Sequence, residues 1–327
     1  MSQIISLIQA AVVFGTVIMF GAVGEILSEK SGNLNLGVPG LMYIGGIASL
    51  MGAFYYENAV AEPNKLLCLL IALVFGFGAA FIGGLIYSFL TITLRANQNV
   101  TGLTLTIFGS GFGNFFGGSL NKLAGGAGQI SVATTSSVFR AYIPKLAGLG
   151  NVGKIFFTYG WMVYLSLAIA IFCSWYLSRT RQGLNLRAVG ENPSTADAAG
   201  INVIRYKYLA TCLGAGISGL GGVFYTMDYI KGTWGNDLTI ESLGWLAVAL
   251  VIFTTWKPVN AIWGSYLFGI LYWMYFYISG LTRSTQEIFK MIPYIVTLVV
   301  LIIVSMRRRK ENLGPAALGQ SYFREER

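Results

Sequence analysis

Nine stretches of this chain carry no Asp, Glu, Lys or Arg: residues 4 to 24, 36 to 56, 66 to 94, 99 to 119, 155 to 178, 208 to 227, 242 to 256, 260 to 280 and 291 to 306. Wound as helices, apolar runs of roughly 20 residues match the hydrocarbon thickness of a bilayer. They do not alternate apolar with polar positions, which excludes a transmembrane barrel. Only 11% of the 327 residues are charged and 55% are hydrophobic, whereas a soluble domain carries about 25% charge. The chain is therefore expected to be an all-α polytopic membrane protein with about nine transmembrane helices, in a range of about eight to ten. The segment 242 to 256 is short enough to be a broken or re-entrant helix.

The residue types available narrow the chemistry. With no histidine, the chain lacks an imidazole base and a His-type zinc or haem ligand. Cys68, Cys173 and Cys212 lie singly in apolar runs, as small buried hydrophobes do. No catalytic residue and no metal site is expected. The charge-free windows hold no Asp, Glu, Lys, Arg or His, which disfavours a proton-coupled carrier and an intramembrane enzyme. Sodium coupling through the carbonyls of broken helices stays open, and the cargo is expected to be neutral and polar.

The net charge of +9 is explained by topology rather than by nucleic acid, because Lys and Arg of short loops stay in the cytoplasm. Arg179, Arg181, Arg187, Arg205 and Lys207 form one cluster, and Arg307, Arg308, Arg309 and Lys310 another. Placing both inside puts the N-terminus outside, with 14 of the 22 basic residues inside and 8 outside. The first span lacks a basic n-region and a cleavage site and reads as a retained helix. Residues 1 to 327 are expected to form a single transmembrane domain, with a cytoplasmic loop at 179 to 207 and a cytoplasmic tail at 307 to 327. Residues 120 to 154, rich in Gly, Ser and Thr, form the long external segment.

Within the spans, small residues recur at four-residue spacing, as helix-packing faces require. One ladder is Gly109, Gly113 and Gly117; another is Gly214, Ser218 and Gly222, with Gly221 alongside. Polar residues near span ends and Gly-rich stretches are the candidates for a cargo path: Asn33, Asn35, Asn97, Gln98, Thr101 and Asn114. Helix interruption there frees backbone groups that must line a cavity or be buried in protein. Interhelical hydrogen bonding is the plainer role for each.

The loop from Arg179 to Lys207 reads RTRQGLNLRAVGENPSTADAAGINVIRYK. Asn192 fits an N-cap, Pro193 the first helical position and Gly200 a C-terminal stop, which predicts a helix of about two turns from Pro193 to Ala199. Ala196 and Ala199 give it a small face, and Asp197 is polar and able to point outward. So short a helix is not stable alone in water, so it needs a surface to dock on, and a cytoplasmic partner is implied.

This loop, above all GLNLRAVGENPSTADAAGINV, resembles the coupling loop of bacterial permease subunits of ATP-binding-cassette importers, in the family serving ribose and other simple sugars, nucleosides and branched-chain amino acids. GEILSEKSGNLNLGVPGLMYIGG resembles the broken-helix signature of the nucleoside and simple-sugar branch. LRANQNVTGL at 94 to 103 and ALVIFTTWKPVNAIWGSYLFG at 249 to 269 are similar to further family segments, and the likeness runs from about residue 11 to 305. One departure is Thr254 and Thr255, where the family often has a glycine.

The resemblance implies a second permease subunit, identical or related, a cytoplasmic ATPase that carries ATP and magnesium, and an extracytoplasmic substrate-binding protein or lipoprotein. Gly183, Arg187, Gly190, Glu191, Asn192, Pro193, Ala196, Asp197 and Gly200 would form the ATPase contact. A purine or other nucleoside is the favoured cargo, with ribose or another simple sugar as the alternative and an ATP-independent carrier or channel as the reading of a different class. Some relatives have a further N-terminal span, whose absence here fits an outside N-terminus. No cofactor is expected on this chain itself. GLGNVGKI, from Gly148 to Ile155, imitates a phosphate loop, but Ile155 replaces the magnesium-binding Ser or Thr.

Overall fold

The structure, a computed structural model, describes residues 2–123, 130–142, 148, 150–235, 238–278, 280, 282–307 and 313–323. No strand occurs among these residues. In chain order the helices are α1 (Ser2–Glu29), α2 (Val38–Ala59), α3 (Lys65–Ser88), α4 (Gln98–Leu123), α5 (Ala133–Phe139), α6 (Gly150–Phe156) and α7 (Trp161–Arg179). They continue as α8 (Arg181–Glu191), α9 (Pro193–Ala198), α10 (Val203–Phe224), α11 (Thr239–Phe253), α12 (Pro258–Trp273), α13 (Arg283–Lys290) and α14 (Ile292–Arg307).

Each charge-free stretch falls mainly on one long helix among the described residues: α1 to α4, α7, α10, α11, α12 and α14. Six segments have the length and apolarity to cross a bilayer: Gln3–Glu29, Val38–Ala59, Lys65–Thr93, Trp161–Arg179, Val203–Tyr229 and Ser284–Ile303. α11 is apolar but 15 residues long, and α4 is diluted by Gly, Asn and Thr. Within the segment 242 to 256, α11 is continuous as far as Phe253, and residues 254–256 form the turn before α12. The irregularities lie elsewhere, in π turns that extend α3 over Phe89–Thr93 and α10 over Tyr225–Tyr229, and in the non-helical stretch between α1 and α2.

The windows also stop short of the helix ends. α1 runs on through Glu25 and Glu29, which are 1% and 4% exposed. The π turn after α10 carries the half-buried Asp228, and Lys207 is buried near the start of α10. Titratable groups therefore do lie within the membrane helices, and the sequence argument against a proton-coupled carrier loses the absence on which it stood. Glu25 and Glu29 are tolerated because neighbouring loops supply donors. The Glu25 carboxylate accepts the Asn35 amide at 3.0 Å, and the Glu29 carboxylate accepts the Trp256 indole N–H.

α10 is the central helix, packed on α1, α2 and α3. Association between helices in lipid depends on close packing rather than on expulsion of water, and the two small-residue ladders provide it. Ser218 donates to the Gly21 carbonyl at 3.2 Å, and a Cβ on Gly221 would lie 2.9 Å from the Val17 carbonyl oxygen. A Cβ on Gly45 would come within 2.5 Å of the Gly219 carbonyl oxygen. The other ladder packs α4 on α2 where Gly109 meets Gly40, while Gly113 and Gly117 seat the Trp234 indole.

The two ends of the bundle are distinct. Gln9 donates to the Lys154 carbonyl at 2.8 Å, Glu57 accepts from the Thr135 amide at 2.7 Å, and Ser136 donates to the Met227 carbonyl at 2.9 Å. These contacts hold α6 on the start of α1, and α5 on the end of α2 and the π turn after α10. Lys30, about 30 Å further along the α1 axis, lies at the other end with α8, α9 and the chain's C-terminal segment. The segment that imitates a phosphate loop is helical from Gly150 onward and sits at the first end, away from α9.

Candidate functional site

Three caps in series build the loop between α7 and α10. The Thr180 hydroxyl accepts the Gly183 amide at 3.0 Å and starts α8. The Asn192 side chain accepts the Thr195 amide at 3.0 Å and starts α9, with Pro193 in the first turn. The Asn202 side chain accepts the Arg205 amide at 3.0 Å and starts α10. α9 stops before Gly200, whose φ of +82° is the left-handed value that favours glycine. The predicted helix ending at Ala199 is thus present, one residue shorter. α8 went unpredicted, although Thr180 followed by three residues without Pro was its signal.

The glycines hold this unit against the bundle. A Cβ on Gly183 would strike the Tyr176 carbonyl, and one on Gly190 would strike the Lys30 carbonyl. Gly190 is therefore a close-approach site where α8 crosses the end of α1. Its carbonyl accepts the Ala317 amide at 3.0 Å, and the Gly32 carbonyl accepts the Gly319 amide at 3.2 Å. Lys30 lies just past the end of α1. Burial, followed by the nearby positive charge of Arg187, pushes its ammonium below the usual lysine range; Glu191 opposes the shift.

Two residues of α9 turn towards the protein. Ala196 is 4% exposed and packs with Val189 and Val203. Asp197 is half-buried, and its carboxylate accepts the Tyr322 hydroxyl at 2.8 Å. The pairing of Asp197 follows from the C-terminal segment folding back over the loop, which the loop's own sequence does not encode. The outward face consists of Arg187, Glu191, Asn192, Thr195, Ala198, Ala199 and Gly200, all exposed.

The six cargo-path candidates do not form one lining. Asn33, Asn35 and Gln98 come together at the end that carries α9. The Asn33 amide donates to Thr211 at 3.2 Å, Asn35 accepts the Gly37 amide at 2.9 Å, and Gln98 accepts the Leu34 amide at 2.7 Å. Asn97 caps α4 by accepting the Val100 amide at 3.1 Å, and the Thr101 hydroxyl donates back to the Asn97 carbonyl at 2.8 Å. Asn114 lies about 24 Å along α4 from Gln98, and its buried Oδ1 has no hydrogen-bond partner. A cavity of about 460 Å³ opens beside α9, lined by Asn33, Arg95, Gln98, Asp197, Lys207 and Tyr322 among others.

Thr254 and Thr255, the departure from the resembled family, sit in the turn between α11 and α12. Thr255 and Trp256 have φ of +53° and +54°, which accounts for glycine being suited to this turn.

The chain is thus a bundle of membrane-length helices with a capped helix held at one end. The chain belongs to the family described as branched-chain amino acid transport system / permease component, whose model matches residues 7–301. It is 32% identical to the putative glucose ABC transporter permease protein TsgC13 of Haloferax volcanii, over 99% of both chains. It is 30% identical to the nucleoside ABC transporter permease protein NupC of Lactococcus lactis, over 95% of both, and 30% identical to the guanosine ABC transporter permease protein NupQ of Bacillus subtilis, over 99% of both. The chain is a multi-pass membrane permease subunit of the ABC class. Such a subunit works with a separate ATPase and a substrate-binding component.

Proposed function

We propose that this permease translocates a nucleoside by alternating access driven by a separate ATPase, which binds the outward face of α8 and α9. The observation that carries the coupling role is the series of caps at Thr180, Asn192 and Asn202. They leave no slack between α7 and α10, so a push on α9 becomes a push on the central helix. α10 meets α1, α2 and α3 through glycine-scale contacts, and closely packed elements move as units rather than deform. The end bearing α9 faces the cytoplasm in this reading, with the N-terminus outside. ATP and magnesium belong to the partner, and a second permease subunit, identical or related, completes the pathway.

Nucleoside cargo is favoured by the names of NupC and NupQ and by the segment GEILSEKSGNLNLG. A simple sugar is the second reading, favoured by the name of TsgC13. Two experiments decide. Glu191→Arg or Gly200→Trp should abolish ATP-driven uptake while membrane insertion persists, and unchanged uptake defeats the coupling role. Calorimetric titration of the partner binding protein with nucleosides and with sugars, side by side, decides the cargo.

A further inference from the structure

The C-terminal segment Leu313–Phe323 is a folded strap rather than a free tail. Its own turns are closed by Leu318 donating to Pro315 at 3.1 Å and Gln320 donating to Ala317 at 3.1 Å, and Ala317 is 4% exposed. Besides the backbone bonds to Gly190 and Gly32, the Ala316 amide donates to the Glu191 carboxylate at 3.4 Å. The Arg95 guanidinium stands 4.4 Å over the Phe323 ring, and Gln98 donates to the Gln320 carbonyl at 3.4 Å. One short segment therefore touches α8, α9, the break between α1 and α2, the loop between α3 and α4, and α10, whose Lys207 donates to the Gln320 carbonyl at 3.5 Å.

We propose that this segment positions the coupling helix, with Tyr322 acting through Asp197 to set the seat of Pro193–Ala198. The inference rests on the coupling role proposed above. α9 has six residues, too few to hold its own helical form, so what anchors it decides how it transmits a displacement. Asn192 anchors its start and Ala196 its inner face. The Tyr322 hydroxyl anchors its last turn by a hydrogen bond to a carboxylate, the stronger kind. From there the strap runs to Gly32 and Gln98, which gives α9 a second mechanical connection, to α1 and α4, beside the contact of Gln320 with Lys207 of α10.

The test uses the full-length chain in nanodiscs and, with its ATPase and binding protein, in proteoliposomes. In Tyr322→Phe, amide exchange of residues 192–202 should quicken about 10-fold, as loss of a hydrogen bond to a charged group implies, while exchange within Trp161–Arg179 stays unchanged. Uptake per ATP hydrolysed should fall at least about threefold with the KM for cargo unaltered. Asp197→Asn keeps an acceptor and should retain the wild-type ratio, Asp197→Ala should match Tyr322→Phe, and the double variant should be no worse than either. Truncation after Gln320 should reproduce the loss. If Tyr322→Phe matches the wild type in exchange and in ratio, the strap is overturned and the permease reading stands. If wild-type uptake runs without ATP, the coupling role falls and takes the strap's role with it.

Discussion

The indole of Trp256 donates its N–H to the carboxylate of Glu29, fastening the turn after α11 to the end of α1. Glu29 is buried one helical turn from Glu25, so the two acids share a face, and each takes its donor from a different loop. Trp256→Phe keeps the aromatic bulk and removes the donor, which should cost about 1.5–3 kcal/mol. The thermal midpoint of the purified chain in detergent should fall by roughly 3–6 °C. In a Glu29→Gln background the same substitution should cost less, because a neutral amide needs the indole less. An equal fall in both backgrounds would show that packing, not the hydrogen bond, is being lost.

The adjacent Thr255 makes the opposite prediction. A β-branched residue at φ +53° carries a left-handed penalty of about 1–2 kcal/mol, partly offset by the greater chain entropy that glycine brings to the unfolded state. Thr255→Gly should therefore stabilise the chain by about 0.5–1 kcal/mol, seen as a small rise in the same midpoint. A fall would mean that the threonine side chain makes contacts worth more than its strain.

How much of this was legible in the sequence depends on the range of the interaction concerned. The long helices were legible because lipid demands continuous apolar runs, and α9 was legible because Asn192, Pro193 and Gly200 signal its ends locally. Glu25 and Glu29 were hidden as buried groups, since the donors that make burial tolerable, Asn35 and Trp256, come from other segments. The pairing of Asp197 was hidden for the same reason: Tyr322 is 125 residues away from it. The cargo-path candidates were chosen by residue type near helix ends. The structure shows a cap at Asn97, a hydroxyl of Thr101 bonded back to the Asn97 carbonyl, and separate hydrogen bonds of Asn33 to Thr211, Asn35 to Glu25 and Gln98 to Leu34.

The packing role of the glycines predicts a contrast between two positions. Gly45 on α2 faces the backbone of Gly219, whereas a Cβ on Gly78 of α3 meets nothing within 4 Å. Gly45→Ala forces α2 and α10 apart and should destabilise by about 1–3 kcal/mol, the usual cost of overpacking. Gly78→Ala should be neutral or should stabilise by up to about 1 kcal/mol through helix propensity. Folded yield and thermal midpoint after detergent extraction compare the two. Equal behaviour would remove the close α2–α10 approach from the account of the fold.

The Asn192 cap separates shape from insertion. Its side chain satisfies the Thr195 amide, and Asn192→Ala leaves that amide to water, at a cost of about 0.5–2 kcal/mol to a helix with little stability of its own. The nine long helices do not depend on this bond, so expression, insertion and thermal midpoint should hold while ATP-driven uptake falls by about 2- to 10-fold. Asn192→Asp and Asn192→Ser retain an acceptor of the right reach and should restore most of the uptake. A variant set that transports in the order Asn, Asp and Ser, then Ala ties transport to the helical form of Pro193–Ala198. Equal transport across the set would mean that the partner grips this loop whatever its conformation, and the role given to the capped helix would then pass to α8.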